Sequence, residues 1–219
     1  MEKSKQNIFL NERIMQGASA VTVLGGTISL IILFAVKEIT LLFLFAGIIK
    51  IGITLALYWA FSHYQWDFMR GMMGGLLFAL MYEEGFNVLG NLWSGKDVAT
   101  QYLIMGVQGS LYVAAESMSF LMTIIIILNH FVMNYGHKNN WKNVAFNQIS
   151  ILYKIFLYIA LAVINIFLEL PRYVQITAVI GYVVDVAIIV TVICIESQLE
   201  DLKILRQELL KEKKEAERG

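Results

Sequence analysis

Residues 174–195 read VQITAVIGYVVDVAIIVTVICI, an unbroken apolar run with a single acid, Asp185, at its middle. A bilayer's hydrocarbon core, about 30 Å thick, is crossed by about 20 apolar residues in helical form. A charge at its centre costs about 2.5 to 3.5 kcal/mol even on insertion scales. Lys50, Glu83 and Glu84 repeat the pattern, each near the middle of a comparable run. The chain therefore reads as an integral membrane protein with a polar interior.

Composition agrees. Hydrophobic residues make up 58% and charged residues 16% of the chain, and mean hydropathy is +0.66, against about 25% charged in soluble domains. The apolar stretches lack the period-2 alternation of an outer-membrane barrel, so the fold class is all-α. The lone Cys194 rules out an internal disulfide framework and a CxxC metal site. It reads as a small packing residue, with lipidation the minor alternative.

A window of about 20 residues places six spans at 18–36, 40–62, 72–94, 109–135, 147–169 and 174–195. Residues 98–109 (VATQYLIMGVQG) are semi-apolar and either extend the fourth helix, lie in the interface or dip into the membrane. Lys and Arg are retained in the cytoplasm during insertion. Twelve of them fall on one side (Lys3, Lys5, Arg13, Arg70, Lys138, Lys142 and six in the tail), and only Lys37, Lys96 and Arg172 on the other. Both termini are thus expected to be cytoplasmic. The domain plan is a cytoplasmic segment 1–17, a transmembrane domain 18–195 and a charged cytoplasmic helix 196–219. No cleaved signal peptide is expected, because about 17 mostly polar residues precede the first span.

Residues three, four and seven apart share a helix face. On that spacing the second span carries Lys50, Thr54 and Tyr58, and the third Glu83, Glu84, Asn87 and Asn91. The fourth carries Tyr112, Glu116 and Ser119, then His130 and Asn134; the fifth carries Asn147, Lys154, Tyr158, Asn165 and Glu169; the sixth carries Tyr182 and Asp185. Lipid satisfies none of these groups, so the stripes should face one another, water or a neighbouring subunit. Pairing of Lys50 with one or more of Glu83, Glu84 and Asp185 fits their similar depth. With Glu116 and Lys154 included, four acids face two bases, and the deficit calls for protonation, a bound cation or water. Polar residues also bond transmembrane helices together at roughly 0.6 to 2 kcal/mol each, so a purely structural core is the competing account. Glu83 and Glu84 point about 100° apart on one helix, and one Lys cannot readily neutralise both.

Gly71, Gly74 and Gly75 suggest close helix packing, with Gly85 or Gly90 as a weaker hinge candidate. Trp59, Trp66, Trp93 and Trp141 sit near span ends as interfacial anchors. The adjacent pair Glu83–Glu84 followed by His130-x-x-x-Asn134 resembles the CAAX-protease family, whose intramembrane glutamates and histidines activate a water. That resemblance implies a glutamate- or metal-dependent hydrolase. It covers only those residues: Val88 stands where the family's first motif has Arg, and the Phe-x-x-x-His element is not found between the two motifs. There is no GxSxG elbow, HExxH, P-loop or nucleotide fingerprint, and neither a cofactor nor a nucleic-acid partner is implied.

From Glu196 the sixth span continues as ESQLEDLKILRQELLKEKKEAERG, rich in helix formers. Ile195, Leu202 and Leu209 recur every seven residues with Leu205 between, a short amphipathic or coiled-coil tail of about two heptads. It would lie on anionic lipid, pair with a second copy of the chain, or dock a cytoplasmic partner. Two functions fit the whole: a cation, proton or small-solute channel or transporter subunit acting through Glu83, Glu84 and Asp185 with Lys50, or an adaptor or sensor acting through its tail.

Overall fold

The structure, a computed structural model, describes residues 2–36, 41–63, 65–85, 106–135 and 141–216, the last 20 of these and some helix ends as backbone only. Among them are six helices and no strand: α1 (Glu2–Ala35), α2 (Leu41–Ser62), α3 (Trp66–Gly85), α4 (Val107–Tyr135), α5 (Trp141–Phe167) and α6 (Arg172–Ala216). Five contain segments long and apolar enough to cross a membrane: Glu12–Ala35, Leu44–Ser62, Val107–Val132, Ile149–Phe167 and Arg172–Glu196. The exception is α3, which carries Asp67, Arg70, Glu83 and Glu84 within its described length. The expected third span reached beyond it to 94, and residues 86–105 lie outside the described ones, with Asn87, Asn91, Gly90 and Trp93 among them.

Each helix packs on the next in chain order, and α6 closes the ring against α1 while also touching α3. This follows from the pattern along each helix. On α5, Ile149, Leu152, Phe156, Ile159, Val163 and Ile166 are exposed at helical spacing, while Ile151, Lys154, Tyr158, Leu161 and Asn165 are buried on the other face. A bundle with its apolar stripe outward and its polar stripe inward suits lipid as the solvent. Buried hydroxyls return to their own helix at the fourth preceding carbonyl, as at Thr22 to Ala18, Thr54 to Lys50 and Thr191 to Ala187.

The interior is layered along the bundle. Toward the end from which the tail emerges, Met15, Leu57, Met69, Met73, Ile126, Ile188, Val192 and Ile195 form an apolar core, all fully buried. On the other side of it, Lys50, Glu84, Glu116, Lys154 and Asp185 occupy the interior, all buried.

Helix ends follow local chemistry. Gly106, at φ +76°, precedes α4 in a conformation glycine adopts without a Cβ penalty, and its carbonyl accepts from both the backbone and the hydroxyl of Ser110. At the α5–α6 turn, the Gln175 side chain donates to Leu168 O at 2.6 Å, closing the C-terminus of α5 before Pro171 starts the return. Beyond Glu196, α6 continues without a break to Ala216, about 67 Å in all at 1.5 Å per residue. The side chains of Leu202, Leu205 and Leu209 lie outside the described ones.

The close approaches are not at Gly71, Gly74 and Gly75, the glycines expected from sequence to pack closely. A Cβ at Gly71 or Gly74 would meet nothing within 4 Å, and at Gly75 only Ile53 at 3.5 Å. The tight positions are Gly25, where a Cβ would stand 2.7 Å from Val184 Cγ2, Gly47 against Leu30, and Gly85, which lies against Phe120. Small residues here serve the seams α1–α6, α1–α2 and α3–α4 rather than a stripe on α3. Gly25→Ala should lower the thermal midpoint in detergent by the equivalent of about 1 to 3 kcal/mol, because branched Val184 yields poorly. Gly71→Ala should leave it unchanged or raise it by up to about 1 kcal/mol. Equal midpoints for the two variants would contradict this packing.

Candidate functional site

Adjacent carboxylates on α3 diverge by about 100° and meet different lysines. Glu84 turns toward α4 and α5, where its carboxylate pairs with Lys154. The same carboxylate accepts from Tyr158 at 2.6 Å, Ser119 at 2.9 Å and Thr123 at 2.5 Å. Lys154 is fully buried and donates to the Glu84 carboxylate, the Ser119 carbonyl and the Ser119 hydroxyl, the last two at 2.8 Å. An ammonium has three N–H groups and a carboxylate about four acceptor sites, so both ions have their inventories filled. The ammonium also lies 4.5 Å from the centre of the Tyr158 ring, where the ring face attracts a cation.

Glu83 turns the other way, toward α2 and α6. Lys50 pairs with Glu83 and, at 2.9 Å, with Asp185. Two carboxylates thus share one ammonium, which donates a hydrogen bond to Asp185 and forms an ion pair with Glu83. Lys50 and Glu83 also line a cavity of about 60 Å³ between α1, α2 and α6, whose walls include Thr22, Ser29, Gly47 and Gly181. Since one water needs roughly 10 to 15 Å³, the space holds a few waters or a small hydrated ion.

A third group involves Tyr182, one turn before Asp185 on α6. Glu116 receives Tyr182 at 2.6 Å and Tyr112 at 3.0 Å on one carboxylate oxygen, and the two phenol oxygens are 2.7 Å apart. Tyr158 and Tyr182 stack loosely at 6.1 Å between ring centres, joining this group to the Glu84 set. The acid excess counted from sequence is therefore localised: one negative charge in the Lys50–Glu83–Asp185 triad and one acid, Glu116, that makes no ion pair among the described residues.

Other sequence candidates fall outside these groups. Thr54 is buried but bonds to the Lys50 carbonyl rather than to an ion. Tyr58 is half-buried a turn further along α2. Asn165 is at the α5–α6 turn, exchanging long side-chain bonds of 3.4 to 3.5 Å with Gln175. His130 lies about 10 Å along α4 from Thr123 at 1.5 Å per residue, and its Nδ1 is 3.5 Å from Glu196 on α6. The glutamate pair and His130, which carried the likeness to an intramembrane hydrolase, thus engage different partners. No group of three or more His, Cys, Asp or Glu among the described residues is arranged to hold a metal.

Thr123 as a Glu84 donor was not anticipated. The Glu116–Ser119–Thr123 spacing of three and four already put it on the same face. The fold and site together define a helical bundle compatible with embedding in a membrane and carrying a buried charge network. Comparison with protein-family models, curated proteins and solved structures found no match.

The two lysines differ in what their loss exposes. Lys154→Met should destabilise the protein by about 3 to 5 kcal/mol, because Glu84 is left charged and dry. Adding Glu84→Gln should recover a large part of that loss. Denaturant titration in mixed micelles measures both, and a double variant no more stable than the single one would rule out the pairing.

Proposed function

We propose that this chain is a membrane-embedded channel or transporter subunit that handles a proton or small cation at the Lys50–Glu83–Asp185 triad. The observation that carries the reading is the excess carboxylate of that triad beside a cavity. A saturated pair such as Glu84–Lys154 has no capacity to bind more. A shared ammonium does: a cation, or a proton on either acid, would balance the second carboxylate. In this reading Lys50 holds the two acids apart and sets how strongly they hold the incoming charge. Both termini lie on the cytoplasmic side, as the Lys and Arg distribution favours. The cavity then opens into the outer half of the bundle, with the apolar core between it and the cytoplasm.

A second reading is favoured by one feature, the continuity of α6. The helix that carries Tyr182 and Asp185 runs unbroken into the charged tail, so a charge bound at the triad could instead be reported to a cytoplasmic partner or to a second copy of the chain through Leu202, Leu205 and Leu209.

Ion flux into proteoliposomes under an imposed pH or cation gradient tests the first reading. Wild type should conduct, and Glu83→Gln or Asp185→Asn should reduce the rate at least tenfold. Flux that is absent, or unchanged by both substitutions, removes transport. Crosslinking followed by pull-down tests the second: deleting 200–219 should abolish recovery of the partner, and unaltered recovery would remove the tail's role.

A further inference from the structure

The geometry around Glu116 points to a second proton-binding site: we infer that Glu116 is a carboxylic acid whose proton completes a closed ring of hydrogen bonds with Tyr112 and Tyr182. One Glu116 oxygen and two phenol oxygens stand at 2.6, 2.7 and 3.0 Å from one another. All three separations lie in the range of O–H···O hydrogen bonds. Three such bonds need three protons, and the two phenols bring one each. If Glu116 were ionised, the two phenol protons would have to serve three contacts: with Tyr182 donating to the carboxylate and Tyr112 to Tyr182, the 3.0 Å approach of Tyr112 to the carboxylate would hold no proton. A proton on the carboxylate oxygen removes the conflict: Glu116 donates to one phenol, that phenol to the other, and the second phenol back to Glu116.

The surroundings agree with a neutral acid. Glu116 is buried, 6% exposed. The ionisable groups on the elements packed around it are already engaged. From α5, Lys154 spends its three N–H groups on Glu84 and Ser119, and Tyr158 donates to Glu84. From α3 and α6, Glu83 and Asp185 are held by Lys50. The field around Glu116 thus contains Glu83, Glu84 and Asp185 with two lysines already paired to them, and no ion pair forms with Glu116 among the described residues. The ligand of this site is a proton. Because Tyr182 stands one turn before Asp185 on α6, occupancy of the ring sets the position of the helix face that also meets Lys50. The protonated state of Glu116 stands whether or not the triad moves a cation.

Infrared spectroscopy of the full-length chain in lipid vesicles, in H2O and in D2O, tests it without reference to flux. Wild type should show a carboxylic-acid carbonyl band that moves to lower frequency in D2O. That component should vanish in Glu116→Gln and persist in Glu83→Gln. Tyr112→Phe and Tyr182→Phe keep the acid but open the ring, and each should shift the band's frequency. They serve as the readout should Glu116→Gln fail to fold. Absence of an acid band in wild type, its survival in folded Glu116→Gln, or a band indifferent to both tyrosine substitutions would overturn the assignment.

Discussion

A charge taken out of water must find its whole solvation shell in the protein, and around Glu84 that requirement organises three helices at once. Lys154 and Tyr158 come from α5, Ser119 and Thr123 from α4, and the acid itself from α3. A partly satisfied version of this set would leave an ion dry at a cost of several kcal/mol. The complete set therefore discriminates strongly against any rotation of α3. Once α3 is fixed in rotation, Glu83, about 100° around the same helix, has nowhere to go but the α2–α6 side, where Lys50 meets it. The triad, two of whose members line the cavity, thus follows from the saturated pair one residue further along α3.

The two sites have opposite characters because their accounts of donors and acceptors differ. Around Glu84, donors match acceptor sites, and the result is rigid and closed to further ligands. At Lys50 two acids claim one cation next to a cavity, and at Glu116 an acid has phenols in place of a cation. Buried ion networks in membranes are often treated as a single polar core; here a fully paired part and a part with excess acid are separated by the width of a helix. The apolar core of Met69, Met73, Ile188 and Val192 stands between this layer and the tail end of the bundle.

Much of the layout was legible in the sequence, and the reasons are physical. Long apolar runs define helices because backbone groups in lipid have no other satisfactory partner, and five apolar segments of the required length are present. The stripes on α2, α4, α5 and α6 were visible from spacing because their polar residues face inward among lipid-facing neighbours, most clearly at Lys154 and Tyr158. What spacing could not supply was which lysine meets which acid, since that depends on how helices are rotated against one another. Nor could it locate the tight seams: Gly71 and Gly75 look like a packing motif in isolation, yet the close contacts depend on the bulk of a facing residue such as Val184 or Phe120. The expected span 72–94 runs past the described end of α3, whose described part carries four charges and contains no segment apolar enough to cross a membrane.

The unbroken course of α6 has a mechanical consequence. From Asp185 to Ala216 the helix runs about 46 Å at 1.5 Å per residue, and among the described residues the ion pair that Asp185 makes is the one to Lys50 on α2. A stiff rod pivoting where a bond forms or breaks amplifies that event with distance. A tilt of about 5° at the triad would sweep the far end by about 4 Å, close to the width of one helical turn. A change of charge deep in the bundle that tilted α6 would in this way be felt as displacement well outside it.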